Sequence, residues 1–233
     1  MTQMESCTTA IPTGPLLGRH ASLGWAMPVV FATVLALLLS AAPARAGQPT
    51  DQLRVQIDRV LKVLVHPELK QASRANGRRA EIRKIANDTF DFGETAKRSL
   101  ARHWTPRTTA EREEFVQLFA DLLERSYIPK IELYGGEKIV YVGEAFDGEQ
   151  ATVRTKTTTK QGTEIPVDYR MLTRGDKWLV YDVIIEGVSL VGNYRAQFNK
   201  IITTSSYQEL VKKMRTTQEE FYGAEKQKRT SLR

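Results

Sequence analysis

Apolar residues recur at helical spacing from Asp51 onward, where Leu53, Ile57, Val60, Leu61 and Leu64 predict an amphipathic helix over 51–65 that Pro67 closes. A second helix is expected over 78–89, with Ile82, Ile85 and Ala86 on one side. Asp91 followed by Glu94 reads as a capping box that opens a third helix through about His103, its inner face carrying Phe92, Ala96 and Leu100. Thr108 with Glu111 repeats that signature ahead of the strongest helical pattern, Phe115, Leu118, Phe119, Leu122 and Leu123. Pro129 should kink or interrupt this helix near Tyr127, after which Ile131, Leu133 and Tyr134 prolong its apolar face until Gly135-Gly136 stops it.

After those glycines the period changes to two. Segments 138–146, 150–160, 163–173 and 177–186 alternate and are rich in Val, Ile, Thr and Tyr, with turn signals at Asp147-Gly148, Gln161-Gly162 and Gly175-Asp176. They predict a four-stranded antiparallel meander. Helical spacing returns over 190–204 and 206–221, and residues 222–233 read as a polar tail. Helices, then a meander, then helices again describe an α+β fold with helices laid over one sheet. The last strand sends Leu179, Tyr181, Val183 and Ile185 to one side and Trp178, Val180 and Ile184 to the other. Neither face of that strand suits plain water, so either both are covered or one lines an apolar cavity.

The first 46 residues read as a secretory signal peptide, with Arg19 and His20 before an apolar run from Trp25 to Leu39 and Ala44-Arg45-Ala46 as the small-x-small site, cleaved after Ala46. The run is about 15 residues, short of the roughly 20 that cross a bilayer. Removal of 1–46 leaves about 187 residues, enough for one domain with a real core or a small two-part body. Cys7, the only cysteine, leaves with the leader, so no disulfide or thiol chemistry is expected in the mature chain. Subtracting Arg19, Arg45 and Glu5 turns 34 basic and 27 acidic residues into 32 and 26, a net charge of +6. That excess favours anionic headgroups or acidic partners, and an exported chain has no nucleic acid to bind.

Candidate chemistry is sparse. His66 and His103 are the mature chain's histidines, and neither has a partner at metal-ligand spacing; each sits at a predicted helix end. Gly187-Val188-Ser189-Leu190-Val191 falls one residue short of a nucleophile elbow, because the second glycine is at 192. Asp168 and Asp182 are the acids best placed for a cavity, with a structural hydrogen bond as the default reading. No cofactor, metal or catalytic group is expected. Arg78, Arg79, Lys84, Lys97 and Arg98 make a candidate basic docking face, against simple solvation.

Four stretches taken in order, Pro166-Val167-Asp168-Tyr169-Arg170, Trp178 to Val183, Glu186 to Leu190 and Asn193 to Phe198, resemble the MlaC family of phospholipid carriers, also known from toluene tolerance. Upstream, Phe92, Arg102 to Trp104, Arg112, Phe115, Phe119 to Leu123 and Tyr127 fit the same pattern, so the likeness spans about 90–214. The chain departs from it at Pro129, and at Thr204-Ser205-Ser206, where a glycine is expected. The resemblance implies a nuclear-transport-factor-like cone enclosing an apolar cavity, over 47–221. It further implies a periplasmic carrier that holds a phospholipid by its acyl chains, with an inner-membrane ABC transporter complex and an outer-membrane lipoprotein complex as partners. A related branch leaves a hopanoid or other amphiphile open as cargo, and an enzyme of the same cone shape is the remaining alternative. The residues expected to line the cavity are Phe115, Phe119, Leu122, Leu123, Tyr127, Ile131, Val153, Tyr169, Tyr181, Val183, Val188, Leu190 and Phe198, with ordinary core as the competing reading for each.

Overall fold

A computed structural model describes residues 48–231. The leader, Cys7 and the last two residues lie outside them. Among the described residues the chain runs as helices α1 (Pro49–Val65), α2 (Ala75–Thr89), α3 (Phe92–Leu100) and α4 (Thr109–Ile131). Strands β1 (Lys138–Asp147), β2 (Gln150–Thr158), β3 (Glu164–Arg174), β4 (Lys177–Ile185) and β5 (Val188–Ser189) follow, then α5 (Leu190–Thr204) and α6 (Tyr207–Ser231). The α+β class and the meander are as expected, with a short fifth strand added.

Local chemistry sets most of the boundaries. Pro49 opens α1 where its missing amide is harmless, and His66, forced extended ahead of Pro67, ends it. The Asp91 carboxylate accepts from the Glu94 amide at 2.8 Å to start α3, while the Asp91 amide donates to the Val180 carbonyl at 2.9 Å and ties that start to β4. This helix stops at Leu100, earlier than expected, because Ala101 takes a positive φ of 48° and a single 3-10 turn follows to His103. Thr108 and Glu111 complete a reciprocal capping box on α4. Pro129 does not interrupt α4 near Tyr127. It lies in the last turn, where its missing amide deprives only the Arg125 carbonyl, and the helix ends two residues later. Beyond Phe221 the tail continues as helix to Ser231.

The strands are ordered β1-β2-β3-β4-β5, all neighbours antiparallel. Two bulges bend the sheet, one at Val142 in β1 and one at Tyr181 in β4, where Arg170 pairs Asp182 and Met171 pairs Val180. Alternate residues Ala151, Val153 and Thr155 of β2 are buried beneath α1, whereas Arg154 and Lys156 on the opposite face are exposed. The expectation of two apolar faces on the last strand holds, since the second face of β4 meets α3 and α5, whereas β2 has one apolar face.

Candidate functional site

The apolar residues gather in separate clusters. The largest is helical: Phe115, Leu118, Phe119 and Leu123 of α4, Phe198 of α5, and Tyr207, Leu210, Val211 and Met214 of α6 close over Ala96 and Leu100 of α3. Their i, i+3, i+4 spacing puts each set on one helix face. The Phe119 ring meets Tyr194 edge-on at 5.0 Å and Phe198 at 5.2 Å, and Phe115 meets Phe198 at 5.6 Å. A second cluster lies on the inner sheet face, where Leu53 of α1 covers Val153, Met171 and Val180. A third joins Leu64 of α1, Ile82 of α2 and Ile128 of α4.

Seven of the thirteen expected lining residues, Phe115, Phe119, Leu122, Leu123, Tyr127, Leu190 and Phe198, belong to or pack on the helical cluster. Val153, Tyr169 and Val183 belong to the sheet cluster. Tyr181 goes to neither: as the bulged residue it turns to α3, its ring beneath Arg98 at 3.9 Å and its hydroxyl donating to Gln150 at 2.8 Å. Two expectations fail on exposure. Ile131 is 37% exposed because α4 has already passed its packed face, and Val188 is 63% exposed because it flanks the tight Glu186-Gly187 turn. Neither lines an interior.

The apolar interior is closed rather than hollow at these residues. Phe115 and Val153 have no accessible surface and Phe119 has 1%, which leaves no water-sized space beside them. A pocket of about 330 Å³ opens between α1, α2 and β4, over Leu53, Met171 and Trp178. Another of about 190 Å³ lies between α2, α4 and α6. Neither is lined by any of the thirteen residues.

Polar groups in the interior are few. The Tyr141 hydroxyl and the Trp178 indole N–H, both beside the sheet cluster, are shielded from water without a hydrogen-bond partner among the described residues. Burial pushes the Tyr169 hydroxyl up to about 12, with Tyr141 adding to the rise. The sequence pattern reveals neither buried polar group, nor Tyr194, whose aromatic contact with Phe119 depends on how α4 and α5 cross. The face of α6 was legible: Tyr207, Leu210, Val211 and Met214 repeat at helical spacing.

Of the two candidate acids, Asp168 is half-buried in β3 between Arg154 and Ile184 of the neighbouring strands, and Asp182 is the one with a structural role. Asp182, 3% exposed, accepts from the Ser189 hydroxyl at 2.7 Å, the Val191 amide at 3.0 Å and Arg170 at 3.4 Å. Ser189 in turn accepts from the Gly192 amide at 2.8 Å and caps α5, so its hydroxyl is held between the Asp182 carboxylate and a helix start. His103 contacts Asn199 at 3.0 Å, and His66 is the exposed residue that ends α1. Among the described residues no group of three or more His, Cys, Asp or Glu is placed to hold a metal ion, and no helix is long and apolar enough to cross a membrane. The basic docking face is divided: Arg78 and Arg79 pair with Glu132, and Arg98 pairs with Glu94.

Comparison with known proteins gives three findings. The family model described as MlaC protein matches residues 54–216. The toluene tolerance protein ttg2D of Pseudomonas putida is 26% identical over 169 residues, covering 70% of this chain and 79% of that protein. A crystallised phospholipid-binding protein from Ralstonia solanacearum, solved in complex with a phospholipid, superposes with a TM-score of 0.63 at 22% identity, over 72% of this chain and 96% of the other, and shares the fold.

Proposed function

Starting from the premise that this chain belongs to the MlaC family, we propose that it is a periplasmic lipid carrier that binds a phospholipid by its acyl chains and moves it between the outer membrane and an inner-membrane ABC transporter. The observation that carries the reading is the gathering of Phe115, Phe119, Leu122, Leu123, Tyr127, Leu190 and Phe198 into one apolar wall shared by α4 and α5. Two acyl chains of ordinary length hold roughly 30 methylenes, and at about 0.8 kcal/mol each their exposure to water costs roughly 25 kcal/mol. A carrier must offset that cost without exceeding it, or the cargo never leaves. Dispersion and burial along such a wall do so, with few polar groups needed for orientation.

The close packing of the wall adds a condition. Acyl chains enter only if the helical cluster parts, so Phe119 gives up its neighbours Tyr194 and Phe198 and packs against lipid instead. One apolar surface takes the place of another, which keeps the exchange near balance. The hydrogen bonds that commit Asp182 and Ser189 to the start of α5 support a binding role over a catalytic one. The reading is tested by purifying the mature protein from the cell envelope, denaturing it in organic solvent and analysing the extract by mass spectrometry. About one lipid per chain is expected, and an extract without lipid would count decisively against a carrier.

A further inference from the structure

The geometry points to a phosphate-class oxyanion site in the pocket between α2, α4 and α6, apart from the apolar wall. Its polar and aromatic sides are Asn76, Arg79, Arg83, Glu124, Arg125, Phe221 and Tyr222. Helical spacing places Arg79 and Arg83 one turn apart on α2, and Arg125 of α4 lines the same pocket. Arg79 donates to Glu132 at 3.1 Å, Arg83 pairs with Glu124, and Arg125 Nε donates to Asp121 at 2.8 Å. Glu132 also holds Arg78 at 2.8 Å.

Arg125 carries the argument furthest. Its side chain is 6% exposed, and its Nη1 donates to the Thr217 carbonyl at 2.9 Å. Its Nη2 is shielded from water and has no hydrogen-bond partner among the described residues. Asp121 meets Arg125 through one oxygen, and its other oxygen accepts the Tyr222 hydroxyl at 2.6 Å. A buried charged N–H without a partner is costly and is a feature native structures rarely keep without a use. Guanidiniums approaching from two helices suit the several oxygens of a tetrahedral phosphate better than one planar carboxylate. Phe221, whose ring lies 5.6 Å from the Arg125 guanidinium, would have to swing aside as the anion enters. The phosphate can come from the medium or from a lipid headgroup.

Titration calorimetry of the delipidated mature chain with sodium phosphate, at constant ionic strength, tests this. Saturable binding at one site is expected, at least tenfold weaker in the double variant R79Q/R83Q. R125Q should lose it too, with circular dichroism reporting whether that variant folds. No binding by the wild type, or equal affinity in R79Q/R83Q, overturns the proposal. Phosphatidylcholine vesicles containing phosphatidic acid separate the sources: competition with phosphate assigns the site to a headgroup, and phosphate binding without vesicle binding assigns it to the free ion. Lipid copurifying with the wild type reads the carrier proposal alone, so failure here and failure of that reading are told apart.

Discussion

Replacing Phe119 by alanine separates a lipid-lining wall from an ordinary core. Phe119 is 1% exposed and touches Tyr194, Phe198 and Phe115 with ring centroids 5.0, 5.2 and 5.8 Å away. Truncating such a phenylalanine costs about 3–5 kcal/mol. Against a total of roughly 5–15 kcal/mol the chain should stay folded but clearly weakened. Lipid changes the sum. An acyl chain lying along α4 can occupy the space the ring leaves, and three buried methylenes at about 0.8 kcal/mol each return roughly 2.4 kcal/mol. The F119A loss should therefore be about 3–5 kcal/mol in delipidated protein and smaller by about half in loaded protein. L64A serves as the control. Leu64 is buried with Ile82 and Ile128 in a different cluster, so its loss of about 2–5 kcal/mol should be the same in both forms. Urea unfolding followed by tryptophan fluorescence measures all four differences. If F119A loses as much with lipid as without, the acyl chains do not reach α4 and the assignment of that wall is wrong.

Two further outcomes follow from the same geometry. D182A strands the Ser189 hydroxyl, the Val191 amide and Arg170, and should cost about 1–3 kcal/mol in urea unfolding; a change below about 0.5 kcal/mol would mean that Asp182 does not anchor α5. Tyr169 has its hydroxyl raised to about 12 by burial, against about 10 in an unfolded chain. Below pH 10 both states hold the proton, so Y169F and wild type should show parallel stability. Between about pH 10 and 12 the native chain keeps a proton the unfolded chain gives up, and the wild type loses about 1.4 kcal/mol per pH unit more than Y169F. Tyr207 and Tyr222 are raised similarly in both proteins and cancel in the comparison. Equal slopes for the two proteins would refute the burial of Tyr169.

Features carried by neighbouring residues were legible in the sequence. Thr108 with Glu111, Asp91 with Glu94, and the alternation over 150–160 each encode their element within a few positions; the structure realises all three elements, with the strand ending at Thr158 and the Asp91 amide going to Val180 instead of closing the second half of its box. Pro129 shows the limit of that local reading: its effect depends on how far the helix has left to run, and only one carbonyl lies within reach of its missing amide. Strand β5 exists because Ile184 and Ile185 find Ser189 and Val188 across a two-residue turn in which Glu186 accepts a φ of 51°, a conformation that glutamate does not advertise. Apolar identity announced the wall of α4 and α5 but not whether its halves touch. The network of Arg78, Arg79 and Glu132 joins residues more than fifty positions apart, beyond what spacing can reveal.

The bulge at Val142 bears on how copies of the chain meet one another. Strand β1 forms the long outer rim of the sheet, with Val140 and Val142 exposed at 41% and 57%, and a rim of that kind invites a neighbour to extend the ladder. The register breaks between Tyr141 and Gly143, so the rim is divided into Lys138–Tyr141 and Gly143–Asp147, four and five residues that do not share one line of hydrogen-bonding groups. Each piece is at or below the usual strand length of about five to six residues. A stacking copy would find no uninterrupted template, and so a crowded population of these molecules is held back from growing into a continuous ribbon.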